Sequence, residues 1–322
     1  MKHQRVLVIG GSGFIGSHLV ARLVSEGRKV TVPTRRYIRA RHLILLPTVD
    51  VIEADIHDDA ALAGLVQGQD AVVNLVGILH GDRGRPYGKA FRRNHVELPE
   101  RIARACAAHG VRRLLHMSAL GADPAGPSMY LRSKGDGEAA VRKVFDAWPD
   151  GALTIFRPSV VFGPEDQFMN RFASLARLLP VLPLAASSAR LQPVYVGDVA
   201  LATAHALDDP RTYGRSYALA GPQSYTLGEL VERAAAWSGH RRRVLPLPLA
   251  LGKLQAGLLE LLPGEPPLSR DNLDSLSRDA VTDEPIAAEL DVPPTALEAI
   301  APDYLGSMRT GTRYDLLRSR RT

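Results

Sequence analysis

The sequence predicts an α/β fold, a doubly wound parallel sheet with a smaller, mostly C-terminal lid or substrate region. Three observations support this prediction. Through the first half of the 322 residues, short apolar runs alternate with helical segments. A glycine-rich turn directly follows the first apolar run. Beyond Pro158 the alternation gives way to a proline-rich stretch, which is typical of loops and short helices.

Each predicted helix ends at a glycine or a polar turn before the next apolar run begins. We predict strands at Val6–Ile9, Val30–Val32, Val49–Ile52, Ala71–Val76, Val111–Met117 and Leu153–Phe156, and helices at Phe14–Ser25, Ala60–Gln67, Val96–His109 and Tyr130–Phe145. Six strands with intervening helices form a Rossmann-type sheet, whose ligands bind at the carboxyl ends of the strands.

The predicted parts are a nucleotide-binding Rossmann domain at 1–157, a lid or substrate region at 158–190 and 211–308, and a basic, solvated tail at 309–322. A strand at 192–196 followed by a helix at 198–207 is expected to return residues 191–210 to the main sheet. We expect a substrate to be held between the lid and the sheet.

The composition excludes several classes of protein. The 45% share of hydrophobic residues excludes a disordered chain. With Cys106 as its one cysteine, the chain has no intramolecular disulfide and no thiolate zinc site, so we expect a cytoplasmic location and no signal peptide. The histidines lack metal-ligand spacing. The net charge of +6 is spread over loops and aromatic residues make up only 6%, which argues against nucleic-acid binding.

The glycine-rich turn reads Gly10-Gly11-Ser12-Gly13-Phe14-Ile15-Gly16 and opens the first helix. Gly10 permits the tight turn, Gly13 lets the backbone approach a pyrophosphate, and Gly16 lets the helix pack closely on the strand. The helix N-terminus supplies N–H donors and a positive dipole end. We therefore predict a dinucleotide site that includes Ser12, Phe14 and Ile15.

The end of the second strand indicates which dinucleotide binds. Pro33-Thr34-Arg35-Arg36 stands where a dinucleotide fold normally places an acidic residue for the adenosine ribose. A guanidinium pairs with a ribose phosphate, so Thr34, Arg35 and Arg36 favour NADP(H) over NAD(H). The alternative is that these arginines form a solvated basic loop.

Other cofactor contacts are expected at the ends of the next strands. Asp55, followed by Ile56, is placed to accept from the adenine amino group, or else to cap the following helix. Val76 and Gly77 at the end of the fourth strand would line the cofactor's path without a large side chain. Asn94 completes this candidate set.

The strongest chemical signature is Tyr130-Leu131-Arg132-Ser133-Lys134 at the start of a predicted helix. Four residues on a helix place both end side chains on one face, so we expect the ammonium of Lys134 to lower the pKa of the Tyr130 phenol and to reach the nicotinamide ribose. Such a tyrosine can donate a proton to a carbonyl oxygen. A Tyr-x-x-x-Lys pair on a protein surface is the alternative.

These motifs, with Phe156–Pro164 and Gln192–Ala200, resemble an extended or atypical short-chain dehydrogenase/reductase over nearly the whole chain. Phe162–Phe172 and Leu268–Asn272 are similar to bacterial relatives of the nucleotide-binding accessory subunit of respiratory complex I. The resemblance implies bound NADP(H), with Pro158, Ser159 and Val160 beside the nicotinamide. It is compatible with an enzyme that reduces a carbonyl on an apolar, quinone- or isoprenoid-related substrate, and with a non-catalytic accessory or assembly protein.

The resemblance also implies a hydroxyl residue at the end of the fifth strand, where extended members carry two in succession and the second is active. Here the strand ends in Ser118-Ala119. Either Ser118 takes the catalytic position, or Ala119 occupies it and catalysis is weakened.

A leucine-rich stretch, Leu249 to Leu262, places leucines on one face of a predicted helix. They either pack within the lid or contact a membrane surface or an apolar substrate tail. As partners we expect a small-molecule substrate and either a peripheral membrane or a respiratory-complex contact, with the chain a monomer or homodimer.

Overall fold

The structure is a computed structural model and describes residues 2–260 and 268–306. Its strands, in chain order, are β1 Arg5–Ile9, β2 Lys29–Thr34, β3 Val49–Glu53, β4 Ala71–Asn74, β5 Arg113–Met117, β6 Ala152–Pro158, β7 Val161–Phe162, β8 Val181–Ala185, β9 Arg190–Leu191, β10 Val194–Tyr195, β11 Arg215–Leu219, β12 Tyr225–Thr226 and β13 Arg243–Leu247. Its helices are α1 Phe14–Ser25, α2 Asp59–Val66, α3 Lys89–Phe91, α4 Leu98–His109, α5 Met129–Asp146, α6 Met169–Leu178, α7 Val196–Asp208, α8 Leu227–Trp237, α9 Leu249–Leu259, α10 Arg270–Ser275 and α11 Leu297–Gly306.

The described chain forms two compact units. The first contains residues 2–158, 196–219 and 283–293, and the second contains 159–195, 220–260, 268–282 and 294–306. None of the helices within 2–260 and 268–306 has the length and apolar character needed to cross a membrane.

The first unit is built on a seven-stranded sheet with the order β11-β6-β5-β4-β1-β2-β3. Every neighbouring pair is parallel, with Val6 opposite both Val30 and Ala71 in register. The order reverses at β1 and β4, which is the switch point of a doubly wound sheet. The predicted fold class is therefore confirmed, and each of β1 to β6 overlaps one of the six predicted strands.

The apolar runs form this sheet because its central strands are covered on both faces. β1, β4 and β5 are buried along almost their whole length, with side chains such as Leu7, Val72 and Leu114 packed against α4 and α5. Arg113 on β5 is the exception among apolar neighbours. Its fully buried guanidinium donates to the carbonyls of Ala152, Ala206 and Leu207.

The prediction that a strand at 192–196 joins the main sheet is wrong. β10 covers only Val194–Tyr195 and pairs with β7 in a separate two-stranded sheet. The seventh strand is instead β11, which pairs with β6 and alternates between buried and more exposed residues, as an edge strand does. The helix of this prediction is present as α7, within the first unit.

The second unit has three two-stranded sheets, β7 with β10, β9 with β12 and β8 with β13. Its core gathers apolar side chains of α6, α8 and α11, among them Met169, Leu230 and Ala301. The packed interpretation of the leucine-rich helix is wrong for Leu251, Leu254 and Leu258, which are exposed on α9 because Gly252 and Ala256 form its buried face. Leu261, Leu262 and the predicted tail at 309–322 lie outside the described residues.

Candidate functional site

The glycine-rich turn connects β1 to α1. Gly10 has a φ of 88°, the left-handed region that favours glycine, and its carbonyl accepts a hydrogen bond from the Gly13 N–H at 3.0 Å. A Cβ at Gly16 would collide with the Gly10 carbonyl oxygen and the Gly11 backbone. Gly13 is the N-cap of α1, and its exposed backbone provides no side-chain cap. The first N–H groups of the helix can therefore face a pyrophosphate, so this turn fits a dinucleotide.

The residues predicted to select the cofactor lie at the end of β2. Thr34 is buried, and its Oγ1 donates to the Arg36 carbonyl at 3.1 Å, which holds the turn. Arg35 and Arg36 are both exposed immediately after it. Glu53 stands opposite Thr34 in register and accepts from the Tyr37 N–H at 3.1 Å. Two arginines and one carboxylate thus line the edge of the sheet where β2 and β3 end.

Asp55 and Asn94 have local partners in the structure. Asp55 Oδ1 accepts from the His57 N–H at 2.9 Å and shapes the turn after β3. The N-cap of α2 is Asp58, whose carboxylate accepts from Ala61 N–H at 2.7 Å, so Asp55 does not cap that helix. Ile56 packs on the apolar core. Asn94 Nδ2 donates to the Ala90 carbonyl within a π-helical turn, Arg92–Glu97.

The end of β4 meets helix α5 at Gly77. Asn74, buried at the end of β4, accepts from the Val76 N–H and fixes the turn that follows. Gly77 is exposed, and Lys134 Nζ lies 3.3 Å from the position that a Cβ at Gly77 would occupy. Gly77 and Lys134 are therefore neighbours, with open backbone beside a buried cation.

Helix α5 carries the Tyr130 and Lys134 pair. Ser128 caps its first turn by accepting from the Leu131 N–H, and Gly135 and Gly137 let its buried face approach neighbouring backbone closely. Lys134 is buried, and Nζ donates to the Met117 carbonyl at 3.1 Å. Burial lowers the pKa of Lys134 to about 8, although nearby Glu138 acts to raise it.

The expected lowering of the Tyr130 pKa is not the net outcome. Burial raises the pKa of the Tyr130 phenol to about 12. The physical reason is that removal of the phenolate from water disfavours the charged form. A pKa raised in this direction keeps the proton on the Tyr130 phenol near neutral pH.

His95, which the sequence reading missed, contacts Ser133 and the Tyr130 ring on α5. Its Nε2 accepts from the Ile78 N–H at 2.9 Å, so its proton lies on Nδ1, which donates to Ser133 Oγ at 2.8 Å. Ser133 in turn donates to the Tyr130 carbonyl at 2.8 Å. The His95 ring packs edge-on against the Tyr130 ring, with 5.6 Å between the ring centroids. Burial lowers the pKa of His95 to about 2, so it stays neutral.

Two buried polar atoms lie on or just after β5 without a hydrogen-bond partner in the described residues, Ser118 Oγ and His116 Nε2. His116 Nδ1 is 3.2 Å from Asn74 Nδ2, so its ring is fixed between β5 and β4. The adjacent Ala119 is also buried and offers only a methyl group. Ser118 therefore has hydroxyl capacity that a ligand can use.

Pro158 ends β6 within the first unit, where its carbonyl accepts from the Leu120 N–H at 2.8 Å. Ser159 and Val160 belong to the second unit. There Ser159 Oγ donates to the Ala280 carbonyl at 2.9 Å, and the Val160 carbonyl accepts from the Val194 N–H.

The family follows from comparison with known proteins. Residues 6–220 match the model of the NAD dependent epimerase/dehydratase family. The chain belongs to this family. It is 34% identical over 311 residues to NADH dehydrogenase [ubiquinone] 1 alpha subcomplex subunit 9, mitochondrial, of Mus musculus, with 94% of this chain and 80% of that protein covered. The predicted resemblance is thus confirmed, and the family's cofactors are NAD(P).

Two further likenesses extend this result. The chain is 30% identical over 257 residues to the ceramide reductase of Caulobacter vibrioides, with 79% of this chain and 76% of that protein covered. Its fold is similar to the structure of the epimerase Mth375 from Methanothermobacter thermautotrophicus, at a TM-score of 0.75 and 17% identity, over 99% of this chain and 95% of that one.

The residues missed by sequence reasoning share one property. His95, His116 and Glu138 are buried polar residues whose partners come from other elements, such as Arg157 on β6, which donates to Glu138 at 2.8 Å. A histidine that precedes Val96 in a helical stretch gives no local signal of this role. The one local clue is that His95 directly follows the predicted cofactor contact Asn94.

Proposed function

We propose that the protein is an NADP(H)-dependent reductase that acts on a carbonyl of an apolar substrate, of the quinone- or isoprenoid-related kind. The observation that carries this proposal is the pair on α5, half-buried Tyr130 with its phenol protonated and buried Lys134 beside exposed Gly77. The ceramide reductase likeness supports an apolar substrate, because that protein's name denotes a lipid.

In this reaction Tyr130 would donate its proton to the carbonyl oxygen, and Ser118 Oγ would donate a hydrogen bond to the same oxygen. The bound dinucleotide would supply the two electrons and the hydrogen that reach the carbonyl carbon. Lys134 would hold the ribose through Nζ and stabilise the phenolate left on Tyr130. His95 and Ser133 would keep the tyrosine backbone and ring in position.

The experiment that tests this activity measures NADPH oxidation with a panel of long-chain ketones, isoprenoid ketones and quinones. For any substrate that is turned over, Tyr130→Phe should lower kcat about a hundredfold or more, since it removes the proton donor. Tyr217→Phe is the matched control, because Tyr217 lies on the edge strand β11, where its hydroxyl donates to Glu289, and loss of that hydroxyl should leave kcat unchanged. Equal rates for Tyr130→Phe and the parent would refute the proposal.

The preference for NADP(H) rests on Arg35 and Arg36 and is tested separately. Arg35→Ser with Arg36→Ser should raise the Kd for NADPH by about tenfold or more and change the Kd for NADH little. The control is Arg39→Ser with Arg41→Ser, which removes two exposed arginines from the following turn. Identification of the nucleotide released from the denatured protein gives an independent answer, and released NADH would overturn the preference.

The second candidate is a nucleotide-stabilised accessory or assembly protein of a respiratory complex without turnover. It is favoured by the 34% identity to a protein named as a subunit of NADH dehydrogenase, and by Ala119 at the second hydroxyl position. It also fits a cytoplasmic protein that contacts the inner face of the plasma membrane. Co-purification with a membrane complex, together with no turnover on the panel, would favour it over the reductase.

A further inference from the structure

Helix α9 in the second unit presents a row of leucines to solvent. Leu251, Leu254 and Leu258 are 53%, 63% and 61% exposed. Residues spaced by three and four positions lie on the same side of a helix, so these side chains form one strip, which we call the leucine face. Large aliphatic side chains clustered in this way mark an interaction surface, whereas single ones need no explanation.

The opposite side of α9 fixes this orientation. Gly252 and Ala256 are buried, and Ala256 belongs to a small core with Ala185 of β8 and Leu273 of α10. A Cβ at Gly252 would collide with the Ala185 side chain, so the helix rests directly on the strand. Rotation of α9 to bury its leucines would break this contact and place larger side chains where no space exists.

The apolar surface continues onto the β8–β13 pair. Val181, Pro183 and Ala185 alternate along one side of β8, and their register partners on β13 are Arg243, Leu245 and Leu247. Because α9 rests on Ala185, it covers one end of this side. Val181 and Leu245, toward the other end, are 48% and 54% exposed. The leucine face is therefore flanked by further aliphatic side chains of the same unit.

The charges around the leucine face are positive. Residues 241–259 contain Arg241, Arg242, Arg243 and Lys253 and no carboxylate. Arg241 and Arg243 are exposed. Two neighbouring carboxylates are paired, since Asp274 binds Lys253 at 2.8 Å and Glu260 binds Arg270 at 2.7 Å. A third, Glu232, accepts from the Val244 N–H at 3.3 Å beside Arg243. Arg241 and Arg243 form no ion pair within the described residues, so an anionic partner would meet a surplus of positive charge beside an aliphatic strip.

We propose that the leucine face, with Arg241 and Arg243, is a docking surface for an anionic lipid bilayer. An exposed helix with leucines on one side and cations nearby suits the boundary between headgroups and acyl chains. A protein partner is less well matched, because the energetic centres of protein interfaces are rich in Trp and Tyr and poor in Leu. The proposal goes beyond the reductase activity and does not depend on it.

The test is sedimentation of the full chain with large vesicles of phosphatidylcholine alone or with about one third phosphatidylglycerol. We expect binding to the anionic vesicles only, weakened by salt as headgroup charge is screened. Leu254→Gln with Leu258→Gln should lower the partition coefficient about tenfold or more. Arg241→Gln with Arg243→Gln should lower it by about fivefold for each charge.

The matched control is Ile44→Gln with Leu45→Gln, which removes two exposed aliphatic side chains, 44% and 89% exposed, from the first unit. This variant should bind vesicles as the parent does. Equal binding of parent and Leu254→Gln/Leu258→Gln would overturn the proposal, as would equal binding to neutral and anionic vesicles. Absence of vesicle binding, with a dimer in sedimentation equilibrium that the leucine variant abolishes, would assign this face to a second copy instead.

Discussion

The buried ammonium of Lys134 should make the protein less stable than it would be without that charge, and Lys134→Met tests this directly. The pKa falls from 10.5 to about 8 because burial penalises the cation. At about 1.4 kcal/mol for each pKa unit, the protonated side chain costs about 3 kcal/mol at pH 7. Methionine keeps the aliphatic stem but loses the charge-assisted bond to the Met117 carbonyl, which contributes about 1.5 kcal/mol. We therefore expect Lys134→Met to gain about 1.5 kcal/mol at pH 7.

The direction of the pKa shift also fixes how the stability of the parent changes with pH. Because the folded pKa lies below the unfolded one, the unfolded chain holds more protons between pH 8 and 10.5, and stability rises with pH over that window. By pH 9.5 about 2 kcal/mol of the penalty has disappeared, so the parent and Lys134→Met should then differ by less than about 1 kcal/mol. Other titrating groups are common to both proteins and cancel in the difference.

The assay is urea unfolding without added nucleotide, followed by circular dichroism at pH 7 and pH 9.5, with the m-values compared to exclude a change in the denatured state. Lys143→Met is the control, since Lys143 is exposed on the same helix and should change stability by less than about 0.5 kcal/mol. A stability difference for Lys134→Met that stays constant with pH would refute the reasoning. So would a parent that is the more stable protein at pH 7.

Three other predictions follow from the packing of the first unit. Arg113→Met should cost about 3–5 kcal/mol in urea unfolding, because it leaves buried carbonyls without a donor, and a loss below 1 kcal/mol would contradict this. His95→Phe should cost about 2–4 kcal/mol and lower kcat more than it raises KM, whereas unchanged kcat would separate His95 from the tyrosine. Gly16→Ala should raise the Kd for NADPH about tenfold or more by calorimetry, while Gly64→Ala, whose Cβ meets open space, should bind as the parent does.

The sheet could be predicted because its signals are local. Strands buried on both faces must be apolar, and glycine at helix ends marks the turns, so β1 to β6 and α1 were evident from neighbouring residues. β11 was not predicted, because its sequence, Arg215–Leu219, mixes polar and apolar residues at the edge of the sheet. The run at 192–196 is apolar enough for a strand, but its pairing with β7 is decided by a distant segment.

The candidate site was predictable only in part, because some of its residues act through contacts with distant segments of the chain. The spacing of Tyr130 and Lys134 identifies them as site candidates, and the spacing of the glycines from Gly10 to Gly16 does the same for the turn. The role of His95 depends on Ile78, Ser133 and Tyr130 coming together from separate elements. The pKa of Tyr130 was predicted with the wrong sign because burial, which a sequence does not state, dominates it.

Burial acts on the three central groups in one direction, toward the neutral form. It raises the pKa of Tyr130, lowers that of His95 far below neutrality, and lowers that of Lys134 to about 8. Only Lys134 then changes charge near physiological pH. A ligand hydroxyl that accepts from Nζ favours the ammonium, so its binding takes up a proton above pH 8 and its affinity falls as pH rises through that range. The cost of burying Lys134 and the expected pH dependence of nucleotide affinity thus have the same physical origin.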